Sequence, residues 1–132
     1  MKIGLFIPCY IDQFYPQVEI ATYQLLEKLG CDIDFPMNQT CCGQPMANSG
    51  FSDLTTGCDT NVVKNFSGYD YILSPSGSCV RHIKEHLKDG SVQQNAKYSR
   101  EHIYELTEFL VGILNVKNLF YRFSHRIKCS NR

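Results

Sequence analysis

The chain has 132 residues, a length typical of one domain with a single core. It is 43% hydrophobic and carries 13 basic and 13 acidic residues, so its formal net charge is zero. A balanced charge does not indicate binding to nucleic acid or to an anionic membrane surface. No apolar run is long enough to span a bilayer, and the N-terminus lacks the apolar core of a signal peptide. We therefore expect a cytoplasmic protein with no membrane span and no nucleic-acid partner.

The first third of the chain predicts two strands separated by a helix. Residues 3–8 are apolar on both faces, which is typical of a buried strand. Pro16 suits the first turn of a helix, and apolar residues then recur at helical spacing as far as Leu29, just before Gly30. Residues 31–35 alternate between apolar and polar, which predicts a second strand.

The segment TCCGQP at residues 40–45 lies in a loop that we expect to span residues 37–50. Its glycine and proline prevent it from continuing as a regular helix or a central strand. Two adjacent cysteines in such a loop cannot both be core residues, so we interpret Cys41 and Cys42 as part of a chemical site. The chain has seven cysteines. In a reducing compartment an odd number favours metal or redox chemistry over a disulfide framework.

The remainder of the chain predicts a helix, a strand and two further helices. Ser52 can cap a helix with one apolar face, which carries Leu54, Cys58, Val62 and Phe66. Residues 69–73 predict a third strand, and residues 74–79 form a turn that opens a third helix. A polar connection over residues 88–98 leads to Ser99, which can cap a fourth helix.

Alternating strands and helices predict an α/β fold, namely a three-layer, Rossmann-like parallel sheet with helices on both faces. In such a fold the carboxyl ends of the strands meet at one edge of the sheet, where ligands bind. Cys9 follows the first strand, Cys41 and Cys42 follow the second, and Cys79 follows the third. The sequence therefore predicts that these four thiols lie together in one site.

The other cysteines and the histidines have simpler interpretations. Cys58 shares a helix face with apolar residues and Cys31 alternates in phase with apolar neighbours, so we expect both in the core. Cys129 lies near the C-terminus, in a segment that the pattern does not assign. His82 and His86 are four residues apart on the third helix, among charged residues, and we expect them on its solvent face.

Three kinds of group could occupy a site with four thiols. A zinc ion takes four sulfurs, but usually from pairs of cysteines separated by two to four residues. Adjacent cysteines are better placed to bind neighbouring metals of a larger body, such as an iron–sulfur cluster. A thiol–disulfide function is the third alternative, although it normally uses Cys-x-x-Cys.

The cysteine pattern resembles one half of the cysteine-rich CCG domain family. That pattern is a cysteine, a long gap, Cys-Cys-Gly, a similar gap and then Cys-x-x-Cys. Here it reads Cys9, CCG at residues 41–43 and SGSC at residues 76–79, so Ser76 replaces one cysteine. The chain is most similar to the lactate-utilization members of the family, which resemble the iron–sulfur subunit of glycolate oxidase and one of the subunits of heterodisulfide reductase. This similarity rests on three segments, LEKLGC at residues 26–31, CCGQP at residues 41–45 and PSGSC at residues 75–79.

The resemblance implies an iron–sulfur cluster, of the 4Fe–4S type, held by Cys9, Cys41, Cys42 and Cys79. It implies an electron-transfer subunit, without a substrate site of its own, in a system that oxidises L-lactate to pyruvate. The implied partners are the other subunits of that system and a second CCG module, in the same chain or in another. The alternatives are a structural zinc or thiol-redox scaffold module and an inactive, truncated remnant.

The resemblance also implies a division of the chain. We expect residues 1–115 to form a single CCG module and residues 116–132 to form a basic, loosely ordered tail where a second module would start. The tail does not continue the family pattern, which predicts a truncated or frame-shifted product or a natural single-module relative. Residues 103–123 contain more apolar side chains than one short helix can bury. We therefore expect part of this segment to be exposed and to be covered by the second module.

Overall fold

The computed structural model describes residues 1–88 and 93–119. Its centre is a sheet of four strands in the order β2-β1-β3-β4, with every neighbouring pair parallel. The strands are β1 (Lys2–Leu5), β2 (Asp32–Asp34), β3 (Tyr71–Ser74) and β4 (Ile103–Glu105). Helices cover both faces of this sheet. The predicted three-layer α/β fold is therefore confirmed.

The helices connect the strands and pack on the two faces of the sheet. None of them, within the two described stretches of the chain, is both long enough and apolar enough to cross a bilayer. A 3₁₀ turn (Ser52–Thr55) precedes α4, and a π-helical turn (Phe109–Ile113) follows α7. The helices are α1 (Cys9–Phe14), α2 (Pro16–Lys28), α3 (Gln44–Asn48), α4 (Thr56–Phe66), α5 (Gly77–His86), α6 (Gln93–His102) and α7 (Leu106–Glu108).

The core lies on both sides of the two central strands, β1 and β3. Successive strand residues point to opposite faces, so an apolar run buries side chains on each face. One face packs against α2 and the π-helical turn, and its core includes Ile3, Leu5, Leu73, Leu26 and Phe109. The other face packs against α4 and α5, and its core includes Phe6, Ile72, Val62, Phe66 and Ile83.

The fourth strand was not expected. The helical spacing from Ser99 onwards predicts a helix, but α6 already contains Ser99 and ends at His102. Ile103 then begins β4 and pairs with Ile72 of β3. The helix prediction was wrong because pairing with β3 satisfies the backbone and buries Ile103 completely, which outweighs local periodicity. The polar connection predicted over residues 88–98 is helical from Gln93.

Two differences in the first half of the chain affect the site. A short helix, α1, starts at Cys9, where no helix was expected. Leu54 lies in the 3₁₀ turn and is 66% exposed, so it does not belong to the apolar face of α4. The expected face of that helix therefore reduces to Val62 and Phe66, which are both buried.

The structure describes residues 103–119 of the segment expected to be partly exposed. Phe109 and Leu110 are buried, and Val111 is 65% exposed. Val116 packs against Leu29 and Leu110, so the described chain is part of the core beyond residue 115. The rest of the predicted tail, residues 120–132 with Cys129, lies outside the described residues. The domain boundary at residue 115 stays a prediction.

Candidate metal centre

Three loops at the carboxyl edge of the sheet carry the four predicted thiols. Cys9 is the first residue of α1, shortly after β1. Cys41 and Cys42 lie in the loop that leads from β2 to α3. Cys79 lies in the first turn of α5, directly after β3. The structure brings these thiols together as two pairs.

The outer pair consists of Cys9 and Cys41, which are both partly exposed. Their Sγ atoms lie 3.4 Å apart, and the backbone N–H of Gly43 donates to Cys41 Sγ at 3.4 Å. Burial, the hydrogen bond to Cys41 and the charges of Cys41 and Cys79 together raise the pKa of Cys9 to about 11, with burial as the largest cause. The Cys9 thiol therefore keeps its proton at neutral pH.

The inner pair consists of Cys42 and Cys79, and each is only 3% exposed. A hydrogen bond from the Cys42 thiol is the main reason why the pKa of Cys79 falls to about 6, and hydrogen bonds from the hydroxyls of Ser76 and Ser78 contribute to this fall. The same hydrogen bond, together with burial, raises the pKa of Cys42. The inner pair is thus a thiol and a thiolate that share one proton at neutral pH.

Hydrogen bonds extend from the inner pair to the surface. Tyr10 donates its hydroxyl hydrogen to Ser76 Oγ at 2.9 Å, and Ser76 Oγ lies 3.3 Å from Ser78 Oγ. Because Tyr10 satisfies the oxygen of Ser76, the Ser76 hydrogen is free to point at the Cys79 sulfur. Gln44 Oε1 lies 3.9 Å from Cys79 Sγ on another side.

The Gln39 side chain fixes the cysteine loop to β1. Its Oε1 accepts from the backbone N–H of Ile7 at 2.8 Å, and its Nε2 donates to the carbonyl of Leu5 at 3.1 Å. Gln39 therefore occupies the hydrogen-bonding positions that a neighbouring strand would use. This contact places Cys41 next to Cys9.

Asn61 of α4 fixes the same loop from the opposite side. Its Nδ2 donates to the carbonyl of Asn38 at 2.9 Å, and its Oδ1 accepts from the backbone N–H of Thr40 at 3.1 Å. The residues before Cys41 are thus held by a side chain from the sheet side and by one from the helix side. Sequence periodicity gives no signal for either contact, because both depend on residues far apart in the chain.

Gly43 occupies a position that other residues tolerate poorly. Its φ is +89°, and a Cβ there would lie 3.2 Å from Thr55 and 3.4 Å from the Cβ of Cys58. A left-handed φ is unfavourable for L-residues with a side chain. The glycine therefore allows the loop to turn sharply while α4 lies close against it.

Two residues in this region lie elsewhere than the sequence predicted. Cys58 is half-buried rather than a core residue, and it lies against Gly43. His82 is only 7% exposed, so the prediction of a solvent face is wrong for His82, although His86 is exposed. His82 lies on the buried side of α5, near the buried Asp59 of α4. Burial raises the pKa of Asp59 and lowers that of His82.

A cleft of about 420 Å³ opens beside the outer pair. Cys9 and Cys41 both line it, together with Ile7, Asp12, Phe35, Met37, Gln39 and Thr40. The inner pair does not line this cleft. One side of the centre is therefore accessible and the other side is dry.

The two pairs are not arranged around a single ion. Two sulfurs on one tetrahedral ion lie about 3.8 Å apart when metal–sulfur bonds are about 2.3 Å, and Cys9 and Cys41 approach this spacing at 3.4 Å. Within residues 1–88 and 93–119, however, no three histidine, cysteine or acidic side chains surround one point as ligands of a single ion. The donor set is therefore two thiol pairs rather than one cage.

A buried hydroxyl lies in the same layer as the inner pair. Ser74 Oγ is buried and has no hydrogen-bond partner among the described residues. Strand alternation places Ser74 on the same face as Ile72, in the layer that contains Cys42 and Cys79. A buried hydroxyl without a partner is rare and costly, so it suits a site that receives a hydrogen-bond acceptor.

The comparison with known proteins identifies a cysteine-rich family over this part of the chain. A family model described as a cysteine-rich domain, CCG, matches residues 3–84. Lactate utilization protein A from Halalkalibacterium halodurans is 46% identical over 123 residues, which cover 90% of this chain and 50% of that protein. The proteins of the same name from Geobacillus thermodenitrificans and Bacillus subtilis are 44% and 41% identical, again over 90% of this chain and 52% of their length.

The chain spans about half the length of the curated relatives that it matches. No solved structure matches it. The family match covers more than half of the residues and includes all four predicted thiols. This chain belongs to the family of cysteine-rich CCG domains.

Proposed function

We propose that this CCG domain holds an iron–sulfur cluster through Cys9, Cys41, Cys42 and Cys79 and works in electron transfer. The observation that carries the proposal is the convergence of these thiols, as two pairs from three loops, at one edge of the sheet. A bound cluster would accept and release single electrons, and the 4Fe–4S type needs four cysteine ligands. The number of thiols agrees with that type.

The residues around the thiols have defined roles in this proposal. Cys79 is a thiolate near neutral pH, so it is ready to bind iron without first losing a proton. The N–H of Gly43 donates to Cys41 Sγ, and hydrogen bonds to ligand sulfur tune reduction potential. Burial of Cys42 and Cys79 excludes water from one side.

The wider role follows from the relatives. The relatives described above are named lactate utilization protein A, and we propose that this domain passes electrons in a system that oxidises L-lactate to pyruvate. The partners would be the other subunits of that system and a second CCG module, in the same chain or in another. Residues 1–115 would form the module, and residues 116–132 would lead towards the second one.

Anaerobic reconstitution with iron and sulfide tests the cluster. The wild-type protein should take up iron and develop a coloured, paramagnetic species on oxidation or reduction. A variant with Cys41→Ser and Cys42→Ser should lose most of this uptake, since it keeps one thiol of each pair. Cys31→Ser is the matched control, because Cys31 is a partly exposed cysteine that packs against Leu29 and the core instead of the site. Equal iron uptake by the wild type and the double variant would refute the proposal.

A thiol–disulfide function is the second candidate, and a specific contact favours it. Cys9 Sγ and Cys41 Sγ are 3.4 Å apart at the cleft, where a small disulfide could enter. The two thiols would be oxidised to a Cys9–Cys41 disulfide while the entering disulfide is reduced to two thiols. Mass mapping after exposure to a small disulfide tests this candidate. A Cys9–Cys41 bridge that forms in protein unable to take up iron would favour it.

A further inference from the structure

Ser76 is a buried serine at the start of α5 that does not cap its own helix. Although it is the N-cap residue, its side chain makes no capping hydrogen bond to this 10-residue helix, which the structure describes in full. A serine at this position usually accepts from a backbone N–H of the first turn. Ser76 is only 3% exposed, so its hydroxyl must find its partners inside the protein.

Tyr10 supplies one of these partners from a distant part of the chain. Its hydroxyl donates to Ser76 Oγ at 2.9 Å, across 66 positions of sequence. Tyr10 follows Cys9 in α1 and is 42% exposed. The helix α1 therefore carries a thiol of the outer pair and, on its next residue, a contact to the loop that leads to the inner pair.

The bond from Tyr10 decides where the Ser76 hydrogen points. A hydroxyl oxygen that accepts from one group turns its own hydrogen towards another acceptor. Ser78 Oγ lies 3.3 Å from Ser76 Oγ, and both hydroxyls hydrogen-bond to the sulfur of Cys79. Cys79 is itself only 3% exposed. The orientation of these hydroxyls, rather than solvent, therefore sets the hydrogen bonding of this sulfur.

We propose that Tyr10 is a positioning residue of the centre, which directs the Ser76 hydroxyl onto the sulfur of Cys79 and so raises the reduction potential of a bound cluster. A hydrogen bond to ligand sulfur stabilises the added negative charge of the reduced state, which raises the potential. The redox part of this inference rests on the function proposed above. The contact between Tyr10 and Ser76 does not, so the two parts can be tested separately.

The first test measures the contact in the metal-free protein by urea unfolding. Tyr10→Phe and Ser76→Ala should each lower the free energy of unfolding. The double variant should lose less than the sum of the two single losses, because both changes remove the same hydrogen bond. Tyr15→Phe is the matched control and should be as stable as wild type, since Tyr15 is 52% exposed and lies outside this hydrogen-bond chain. Additive losses in the double variant would overturn the inference.

The second test measures the reduction potential after anaerobic reconstitution with iron and sulfide. The potential should be lower in Tyr10→Phe and in Ser76→Ala than in wild type. Adding Tyr10→Phe to Ser76→Ala should cause no further change, because Tyr10 acts through Ser76. Tyr15→Phe should keep the wild-type potential, and circular dichroism checks that every variant is folded.

Two outcomes of reconstitution would overturn the inference while the cluster stands. One is a wild-type potential in Tyr10→Phe. The other is a shift caused by Tyr10→Phe in the Ser76→Ala background, because a general disturbance of the fold would produce it. If wild type takes up no iron, the proposed cluster fails, and the unfolding experiment decides the positioning role. Coupling between Tyr10 and Ser76 would then support that role, and additive losses would overturn it.

Discussion

Gln39 extends the sheet beside Ile7 with its side chain instead of a strand. The pairing of β2 with β1 ends at Asp34 and Gly4. Beyond that point the amide of Gln39 binds the N–H of Ile7 and the carbonyl of Leu5. Cys9 follows Ile7 by two residues and Cys41 follows Gln39 by two residues. A single side chain therefore sets the distance between the two loops that carry the outer thiols.

Replacing Gln39 with alanine should loosen both the fold and the site. Ile7 is 4% exposed, so its N–H would be left buried without a partner. Such a loss costs about 1–3 kcal/mol of unfolding free energy. Urea unfolding of Gln39→Ala measures this cost, and iron uptake should fall in parallel. Gln24→Ala is the control, because Gln24 is exposed on α2. Unchanged stability and uptake in Gln39→Ala would show that the contact does not position the thiols.

A pair of glycine variants separates backbone strain from packing. Gly43 and Gly50 have nearly the same φ, +89° and +88°. A side chain on Gly43 would meet Thr55 and Cys58, whereas one on Gly50 would meet nothing within 4 Å. Gly50→Ala should therefore cost about 1–2 kcal/mol from strain alone. Gly43→Ala should cost more and should reduce iron uptake as well. Thermal unfolding of both variants compares their losses of stability. Equal losses would mean that α4 can shift to accommodate a side chain on Gly43 at no cost.

The stability of the metal-free protein should depend on pH through its cysteines. The pKa of Cys79 is about 6 in the folded chain and about 8.5 when unfolded. Between these values the unfolded chain binds more protons, so stability rises with pH, by up to about 1.4 kcal/mol per unit. Cys9, with a pKa of about 11, and Cys42, whose pKa is also raised, reverse the trend above about pH 8.5, because each keeps in the folded chain a proton that it loses in the unfolded chain.

Urea unfolding at several pH values, in reducing buffer with a chelator, measures this dependence. The maximum should lie near pH 8.5, between the two windows. Cys79→Ser should flatten the rise from about pH 6 upwards, because a serine hydroxyl does not titrate there. A rise of the same slope in that variant would assign the effect to another group.

Removing the Ser74 hydroxyl should not harm the metal-free protein but should alter the protein that holds a bound group. Its hydroxyl is buried and has no partner among the described residues. Ser74→Ala should therefore leave the metal-free protein equally stable, or more stable by about 1 kcal/mol. After reconstitution the same variant should have an altered reduction potential, because a hydrogen bond to the bound group would be lost. Ser49→Ala is the control, since Ser49 is exposed and bonds within its own short helix. Identical potentials in Ser74→Ala and wild type would exclude this hydroxyl from the centre.

The position of the site could be predicted from the sequence, but its internal arrangement could not. The order of Cys9, Cys41 and Cys79 after three strands suffices, because the carboxyl ends of parallel strands share one edge. The split into an outer and an inner pair depends on Gln39 and Asn61, whose contacts reach far along the chain. The spacing of apolar residues along the chain cannot predict contacts between residues so far apart in sequence.

The errors have the same origin. Residues 103–105 fit a helical spacing, but pairing with β3 makes them a strand. Cys58 fits the apolar face of a helix, but its neighbour Leu54 lies in the 3₁₀ turn before that helix. Local spacing describes a segment on its own, whereas tertiary contacts decide between near-equal alternatives.

One side of the centre is accessible and the other is buried, so a group that enters from solvent should reach the four sulfurs in a fixed order. Anything arriving from solvent through the cleft meets Cys9 and Cys41 before it meets Cys42 and Cys79. Loading should accordingly begin on the outer sulfurs and finish on the inner ones. Chelators and oxygen, which use the same entrance, should remove or damage the group from its outer face first. The inner sulfurs would then be the last ligands to dissociate. A partly degraded centre should therefore remain bound to Cys42 and Cys79.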